Sequence, residues 1–166
     1  MQTSKVMRFF FVALTLAGFS AHARPATAAT LLIQNGELVG ADDVLVNGML
    51  YDVRFVEGSC ISLFTGCDDP SDLTFTTMAD ATLASEALLS QVLIDTPQGL
   101  YDSVPDLTFG CAVGCFIMTP FGSGATKAAF NAPGVSNFGS VRPGLPPFID
   151  TTALSEFVYA DWHRAR

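Results

Sequence analysis

Histidine is scarce in this chain, and the motifs of common hydrolase sites are missing. Only two of the 166 residues are histidines, His22 and His163. No Gly-x-Ser-x-Gly sequence occurs, and the Gly-Ser-Gly stretch at residues 122–124 is typical of a turn. A Ser-His-Asp arrangement needs an imidazole base beside an activated serine. The sequence therefore gives little support to a serine-type hydrolase.

Long apolar runs are also lacking, although a short one lies near the N-terminus. The uncharged run at residues 9–19 follows Lys5 and Arg8 and precedes two small-x-small sites, at residues 21–23 and 26–28. The run is shorter than the roughly 20 residues that cross a bilayer. A basic start, an apolar middle and a small-residue exit are the layout of a secretory signal peptide. We predict that residues 1–28 are this signal, with cleavage after residue 23 as the open alternative.

Basic residues are few compared with acidic ones. The formal net charge is −8, and removing residues 1–28 takes away three basic and no acidic residues, so the remainder carries −11. So acidic a chain repels nucleic acid and anionic lipid. Residues 29–166 have the length of one domain. We expect this domain to have no nucleic-acid partner and no stable membrane span.

The four cysteines lie at positions 60, 67, 111 and 115. An exported chain enters an oxidising compartment, where paired cysteines form disulfides. Three pairings exist; we favour Cys60 with Cys67 and Cys111 with Cys115, and a crossed pairing remains open. Six residues separate the first two cysteines and three separate the second two, which does not match a zinc site. The C-x-x-C motif of redox proteins is absent.

Three aspartates, Asp68, Asp69 and Asp72, follow Cys67 closely. Calcium prefers several oxygen ligands from a constrained loop, so these residues are a candidate calcium site. The spacing does not match an EF-hand loop. The alternative is that they are capping and turn residues, as aspartate beside Pro and Ser commonly is. Nothing in the sequence points to another cofactor.

The N-terminal half of the domain has the pattern of antiparallel strands. Residues 30–33 form a short strand candidate, and Asn47-Gly48 separates two β-rich runs at residues 44–46 and 49–56. Asn-Gly favours the type I′ turn of a hairpin because both positions need positive φ. In the second run, apolar and polar residues alternate, which predicts one buried and one exposed face.

One strong helix is predicted, over residues 78–94. Thr77 precedes it as N-cap with Asp80 three residues later, and the sequence Asp95-Thr96-Pro97 ends it. Its predicted core face consists of Ala81, Ala84, Leu88 and Val92.

The later part of the chain is poorer in regular patterns. Strands are predicted at residues 115–121 and 157–162, and the Gly- and Pro-rich residues 132–147 are predicted to form an extended loop. The whole pattern predicts an α+β fold, a small antiparallel sheet with an N-terminal hairpin and one main helix packed on it.

Exposed aromatic residues are candidates for a ligand-binding surface. Phe138 and Phe148 lie in the Gly- and Pro-rich stretch, and Trp162 is the single tryptophan. Aromatic rings stack on sugars, although they belong to a core more often. We take these three residues as a candidate surface for a matrix polysaccharide.

Several separate segments carry a family resemblance. The stretch VGADDVLVNGMLYDVRFVEGSC at residues 39–60, followed by LFTGCDDPSDLTFTT, ALLSQVLID and GLYDSVPDLTFGC, resembles bacterial exported proteins of the PEP-CTERM sorting type. The matching positions of the first stretch are Gly40, Ala41, Val44, Val46, Gly48, Leu50, Tyr51, Asp52, Val53, Phe55, Gly58 and Cys60. The resemblance implies a setting in the envelope or matrix of exopolysaccharide-producing bacteria, and it implies no particular activity.

The sequence departs from that family at its end. No Pro-Glu-Pro stretch and no apolar run precede the final residues DWHRAR. We therefore expect a secreted protein, extracellular or periplasmic, rather than one retained by a sorting tail. The expected function is that of an exported, disulfide-linked, non-catalytic envelope or matrix protein whose partners are exopolysaccharide or other envelope components. The alternative is a secreted hydrolase of an envelope or matrix polymer.

Overall fold

The computed structural model describes residues 28–112, 114–122, 125–131, 138–143, 149, 151–154 and 157–166. The predicted signal peptide, apart from Ala28, lies outside the described residues. The strands are β1 Thr30–Gln34, β2 Glu37–Val46, β3 Met49–Val56, β4 Asp95–Thr96, β5 Gly99–Leu100, β6 Cys115–Gly122, β7 Ala125–Asn131, β8 Phe138–Pro143 and β9 Phe157–Arg164. The α-helices are α1 Cys60–Leu63 and α2 Met78–Ala87, and α2 continues as a π-helical turn, Leu88–Val92.

Seven strands form one sheet in the order β1-β2-β3-β9-β6-β7-β8, while β4 and β5 form a separate small hairpin. All neighbours are antiparallel except β6 and β9, which run parallel. Helix α2 contacts β2 near one end of the sheet and β6, β7 and β8 near the other, so the sheet curves around it. The predicted α+β class is confirmed, with a sheet that is larger than expected and mixed.

The predicted hairpin is confirmed at β2 and β3. Asn47 and Gly48 both have positive φ, 48° and 79°, as a type I′ turn requires. On β3, Tyr51, Val53 and Phe55 are buried, whereas the residues between them are partly exposed. The alternation therefore places one face of β3 in the core.

Strand β2 contains an irregularity that the sequence pattern did not indicate. Its register against β3 shifts between Ala41 and Val44, and Asp43 lies in the left-handed region with a φ of 59°. Gly40 precedes the shift; a Cβ atom there would lie 2.2 Å from the carbonyl oxygen of Val53. Only glycine allows the two strands to approach this closely.

Helix α2 begins where the sequence predicts. The Thr77 side chain accepts a hydrogen bond from the Asp80 backbone N–H, which is the predicted N-cap. All four residues of the predicted core face, Ala81, Ala84, Leu88 and Val92, are fully buried. The helix ends earlier than predicted, because Leu93 leaves helical geometry after the π-helical turn.

The predicted strands at residues 115–121 and 157–162 are confirmed as β6 and β9. The prediction of an extended loop over residues 132–147 is wrong for residues 138–143, which form β8 and pair with β7, and its remaining residues lie outside the described ones. Glycine and proline are tolerated in an edge strand, which needs hydrogen bonds on one side only. In the sheet order β8 is such an edge strand.

The sheet carries one hydrophobic core on each face. The larger core lies under α2 and includes Leu88, Tyr101 and Trp162. The smaller core contains Phe64 and Leu73, which pack with Phe116, Met118 and Tyr159 of the sheet.

Candidate functional site

A groove of about 510 Å³ lies between strand β1 and the C-terminal end of the α2 helix. Its apolar part comes from Leu31 and Ile94, with Ala28 and Ala29 beside them. Its polar part consists of hydroxyl and amide side chains, those of Thr30, Ser90, Gln91, Thr96 and Gln98. None of these lining residues is charged, although the chain as a whole is strongly acidic.

Gln91 fixes one wall of this groove. Its side-chain carbonyl accepts a hydrogen bond from the Leu45 N–H at 2.9 Å, and its amide donates to the Leu45 carbonyl at 2.8 Å. Strand β1 reaches only as far as Asp42 along β2, so Leu45 has no strand partner on that side. The Gln91 amide takes the place of a neighbouring strand and ties the end of the helix to the sheet.

Other polar groups of the groove are held by local hydrogen bonds. The Ser90 hydroxyl donates to the Glu86 carbonyl at 2.9 Å, and the Thr96 hydroxyl oxygen accepts from the Gln98 N–H at 3.2 Å. Beside them, the Asp95 carboxylate accepts hydrogen bonds from the Ser103 hydroxyl and from two backbone N–H groups. The bonds from Ser103 lower the pKa of Asp95 below its usual value. The hairpin that borders the groove is therefore well anchored.

A row of charged side chains lies on strands β2, β3 and β9. Arg54 donates to the Asp42 carboxylate at 2.7 Å, and Asp161, which is paired with Arg54 across the strands, lies 3.0 Å from the His163 ring. Both pairs are partly or largely exposed, so each contributes little to stability. Across the described ranges, no three His, Cys, Asp or Glu residues are grouped closely enough to hold a metal ion.

The disulfides join the favoured partners. Cys60 pairs with Cys67 and Cys111 with Cys115, with Cα–Cα distances of 5.6 and 5.1 Å. All four cysteines are buried. The first disulfide belongs to the smaller core and the second to the larger one. The local pairing predicted from the sequence is therefore confirmed.

The candidate calcium ligands form a helix cap in this structure. The Asp69 carboxylate accepts from the Ser71 N–H at 2.8 Å, and Asp72 accepts from the Asp69 N–H at 3.2 Å. Together they cap the short 3₁₀ helix Pro70–Asp72. The hydrogen bonds from Ser71 lower the pKa of the exposed Asp69. Asp68 is exposed beside them. The arrangement matches the capping alternative.

The three candidate aromatic residues are not brought together as a described surface. Trp162 is 2% exposed, and its indole N–H donates to the Thr119 hydroxyl at 3.2 Å. Its ring packs edge-on against Phe75, with 5.6 Å between centroids. Trp162 therefore presents no ring face to a ligand, which corrects the expectation for this residue. Phe138 begins β8, and Phe148 lies outside the described residues.

The groove and its Gln91 contact were missed by sequence reasoning. Gln91 and Leu45 are 46 positions apart, and glutamine in a helix carries no signal of its partner. The edge position of β1 also depends on the strand order, which local patterns do not reveal. The strand candidate at residues 30–33 and the helix predicted over residues 78–94 cover parts of the groove, but nothing in the sequence indicated that they meet.

Comparison with known proteins finds no match to this chain among protein-family models, curated proteins or solved structures. The resemblance to PEP-CTERM-type exported proteins therefore stays a prediction. Within the part of the chain that the structure describes, no helix is long and apolar enough to cross a membrane.

Proposed function

We propose that this chain is an exported, disulfide-linked protein of the bacterial envelope or extracellular matrix, with a binding or structural rather than a catalytic role. The observation that carries the proposal is the pair of buried disulfides, one in each core of the sheet. Disulfides persist in oxidising compartments and are rare in the reducing cytosol. The signal-like layout of residues 1–28 supports the same compartment.

Export is tested by expressing the full chain in a bacterial host and recovering it from cytosol, periplasm and medium. We expect a product that begins after residue 28 or residue 23 by mass spectrometry and has no free thiols when unfolded without reductant. The matched control is Leu14→Arg together with Leu16→Arg, which breaks the apolar run and should leave the chain in the cytosol. An intact wild-type chain in the cytosol with four free thiols would contradict the proposal.

The groove beside β1 is the surface that we assign to the partner, and we propose a neutral polysaccharide of the matrix. Its hydroxyl and amide groups suit sugar hydroxyls, and Leu31 and Ile94 suit the apolar faces of sugar rings. The side chains that line the groove are uncharged, and cleavage after residue 28 would add one amino group, that of Ala29. The strongly acidic chain around the groove still repels an anionic polymer. Charge therefore favours a neutral over an anionic chain.

Binding is tested by calorimetry with neutral and anionic bacterial exopolysaccharides. We expect affinity for a neutral polymer that falls about tenfold or more in Ile94→Asp, because this change places a charge in the groove. Asp161→Asn, on the exposed charged row, is the matched control and should bind normally. Absence of binding to every neutral polymer would exclude this partner. Release of sugar fragments in the same assay would instead support the hydrolase alternative.

A further inference from the structure

The disulfide-closed loop after β3 covers one apolar area of the sheet. We call residues 58–73 the cover. Phe64 is 7% exposed and its ring meets that of Tyr159 edge-on, with 5.5 Å between centroids. Beneath it lie Phe116 and Met118, which are also buried. Without the cover, this part of the sheet would expose a group of large apolar side chains to water.

The backbone of the cover is strained where the disulfide closes it. Thr65, Gly66 and Cys67 are three consecutive residues with positive φ, of 44°, 101° and 54°. This region is costly for a non-glycine residue, and most of all for a β-branched one such as threonine. Such strain persists only when the surroundings impose it. Here the Cys67 N–H donates to the Phe64 carbonyl at 2.8 Å, and the disulfide fixes the Cys67 side chain.

The second disulfide differs in this respect. Cys111 and Cys115 close a shorter loop whose neighbouring left-handed residue is Gly110, with a φ of 77°. Glycine adopts this conformation without the steric penalty. The Cys111 N–H also donates to the Thr108 carbonyl at 3.0 Å. Among the described residues next to this disulfide, only a glycine lies in the left-handed region, whereas Thr65 and Cys67 do so in the cover.

We propose that the Cys60–Cys67 disulfide is a redox-sensitive device that holds the cover closed, so that reduction opens the cover locally and exposes the apolar surface beneath it. A dithiol supplies two electrons and two protons; the S–S bond breaks, two thiols form, and the dithiol becomes a disulfide. This inference rests on the proposed export, because it couples closure of the smaller core to arrival in an oxidising compartment. The larger core under α2 stays folded in either state.

The first test compares Cys60→Ala/Cys67→Ala with the matched control Cys111→Ala/Cys115→Ala in the full chain. In the Cys60→Ala/Cys67→Ala variant, we expect the rate of amide hydrogen exchange in the cover to rise about tenfold or more. Without the disulfide, the open segment gains conformational entropy, which favours opening. Binding of a hydrophobic dye should rise as well. Amide exchange in helix α2, which lies over the larger core, should stay unchanged. The control pair should leave exchange in the cover unchanged.

Unchanged exchange in the cover would overturn the inference. Faster exchange in helix α2 together with faster exchange in the cover would overturn it too, because the disulfide would then stabilise the whole domain rather than the cover.

The second test needs no substitution. Oxidised protein is treated with dithiothreitol, the reduced cysteines are identified by mass spectrometry, and exchange is followed before and after reoxidation. We expect the cover to lose protection as Cys60 and Cys67 are reduced and to regain it on reoxidation. A cover that stays protected with both thiols reduced would overturn the inference. Since the protein is oxidised before the test, whatever compartment it came from, the result is independent of export.

Discussion

The two faces of the sheet are protected from water by different means. On one face, α2 and its π-helical extension place Ala81, Ala84, Leu88 and Val92 in a continuous core. On the other face, residues 58–73 form α1, a short 3₁₀ helix and irregular chain, and a disulfide joins Cys60 to Cys67. A regular helix holds itself together by backbone hydrogen bonds, whereas a short irregular segment depends on its cross-link and on a few buried side chains. The comparison teaches that the segment covering the second face depends on its disulfide, whereas the helix covering the first face is held by its own backbone hydrogen bonds.

The largest effect is expected in the core under the helix. Leu88→Ala removes a fully buried side chain and should lower the free energy of unfolding by about 2 to 5 kcal/mol. Both cores should unfold together in a denaturant titration followed by Trp162 emission. Leu83→Ala, on the same helix but 39% exposed, is the control and should cost far less. Equal losses for the two variants would contradict the packing described here.

The next largest effect is a loss of stability at alkaline pH, caused by Tyr159 in the smaller core. Burial raises the pKa of Tyr159 to about 12, so the phenol is neutral in the folded protein. The neutral form contributes stability that is fully present below about pH 10, the unfolded pKa, and is lost as pH rises through about 12. The raised pKa corresponds to about 2 to 3 kcal/mol, and Tyr159→Phe should remove this loss.

Tyr101→Phe is the matched variant on the helix side, where burial also raises the pKa of the phenol. The free energies of unfolding of both variants, measured from pH 8 to 12, show which tyrosine causes the loss of stability at alkaline pH, and therefore on which face it arises. An alkaline profile unchanged by Tyr159→Phe would contradict the burial of Tyr159 under the cover.

A smaller effect is expected at the start of α2. Thr77→Ala removes the hydroxyl that accepts from the Asp80 N–H and should cost about 1 kcal/mol. Thr82→Ala, whose hydroxyl donates to the Met78 carbonyl inside the helix, is the control and should be nearly neutral. Thermal melts of both variants check the cap, and an equal shift would argue against it.

In the cover, one substitution is expected to raise the stability of the protein. Asparagine tolerates the left-handed region better than threonine, so Thr65→Asn should stabilise the protein by about 0.5 to 1 kcal/mol. Thr76→Asn, which is exposed outside this region, should change little. A lower melting temperature for Thr65→Asn would show that the strain in the cover is not relieved there.

The smallest effect is expected at the capped aspartates. The lowered pKa of Asp69 means that its contribution is present above about pH 3.8, the unfolded value, and is lost as pH falls below it. Asp69→Asn should therefore lower the melting temperature slightly at neutral pH. Melting temperatures with calcium and with a chelator should agree; a rise with calcium that Asp69→Asn abolishes would restore the calcium site.

Much of the helix-covered face could be predicted from the sequence because its signals are local. Thr77 with Asp80, and the spacing of Ala81, Ala84, Leu88 and Val92, lie within one short window. Asn47-Gly48 likewise fixes its hairpin by turn geometry alone. The local disulfide pairing was favoured from the sequence, although a crossed pairing stayed open until the structure showed the local one.

Strand β8, the groove and the burial of Trp162 depend on contacts between residues that are far apart in the sequence. Strand β8 was predicted as a loop because glycine and proline commonly mark loops. They fit an edge strand, but edge position is a property of the whole sheet. The groove needs Gln91 to meet Leu45. Trp162 was expected at the surface, but its place in β9 between β3 and β6 makes it a core residue.

The position of β9 has a consequence for how the chain acquires its structure. Among the described strands, β9 is the last in chain order, yet it lies between β3 and β6 and is the strand through which the β1-β2-β3 meander and the β6-β7-β8 meander join into one sheet. Until residues 157–164 are available, the two meanders have no common hydrogen-bonding partner. The seven-stranded sheet can therefore be completed only after residues 157–164 have been synthesised.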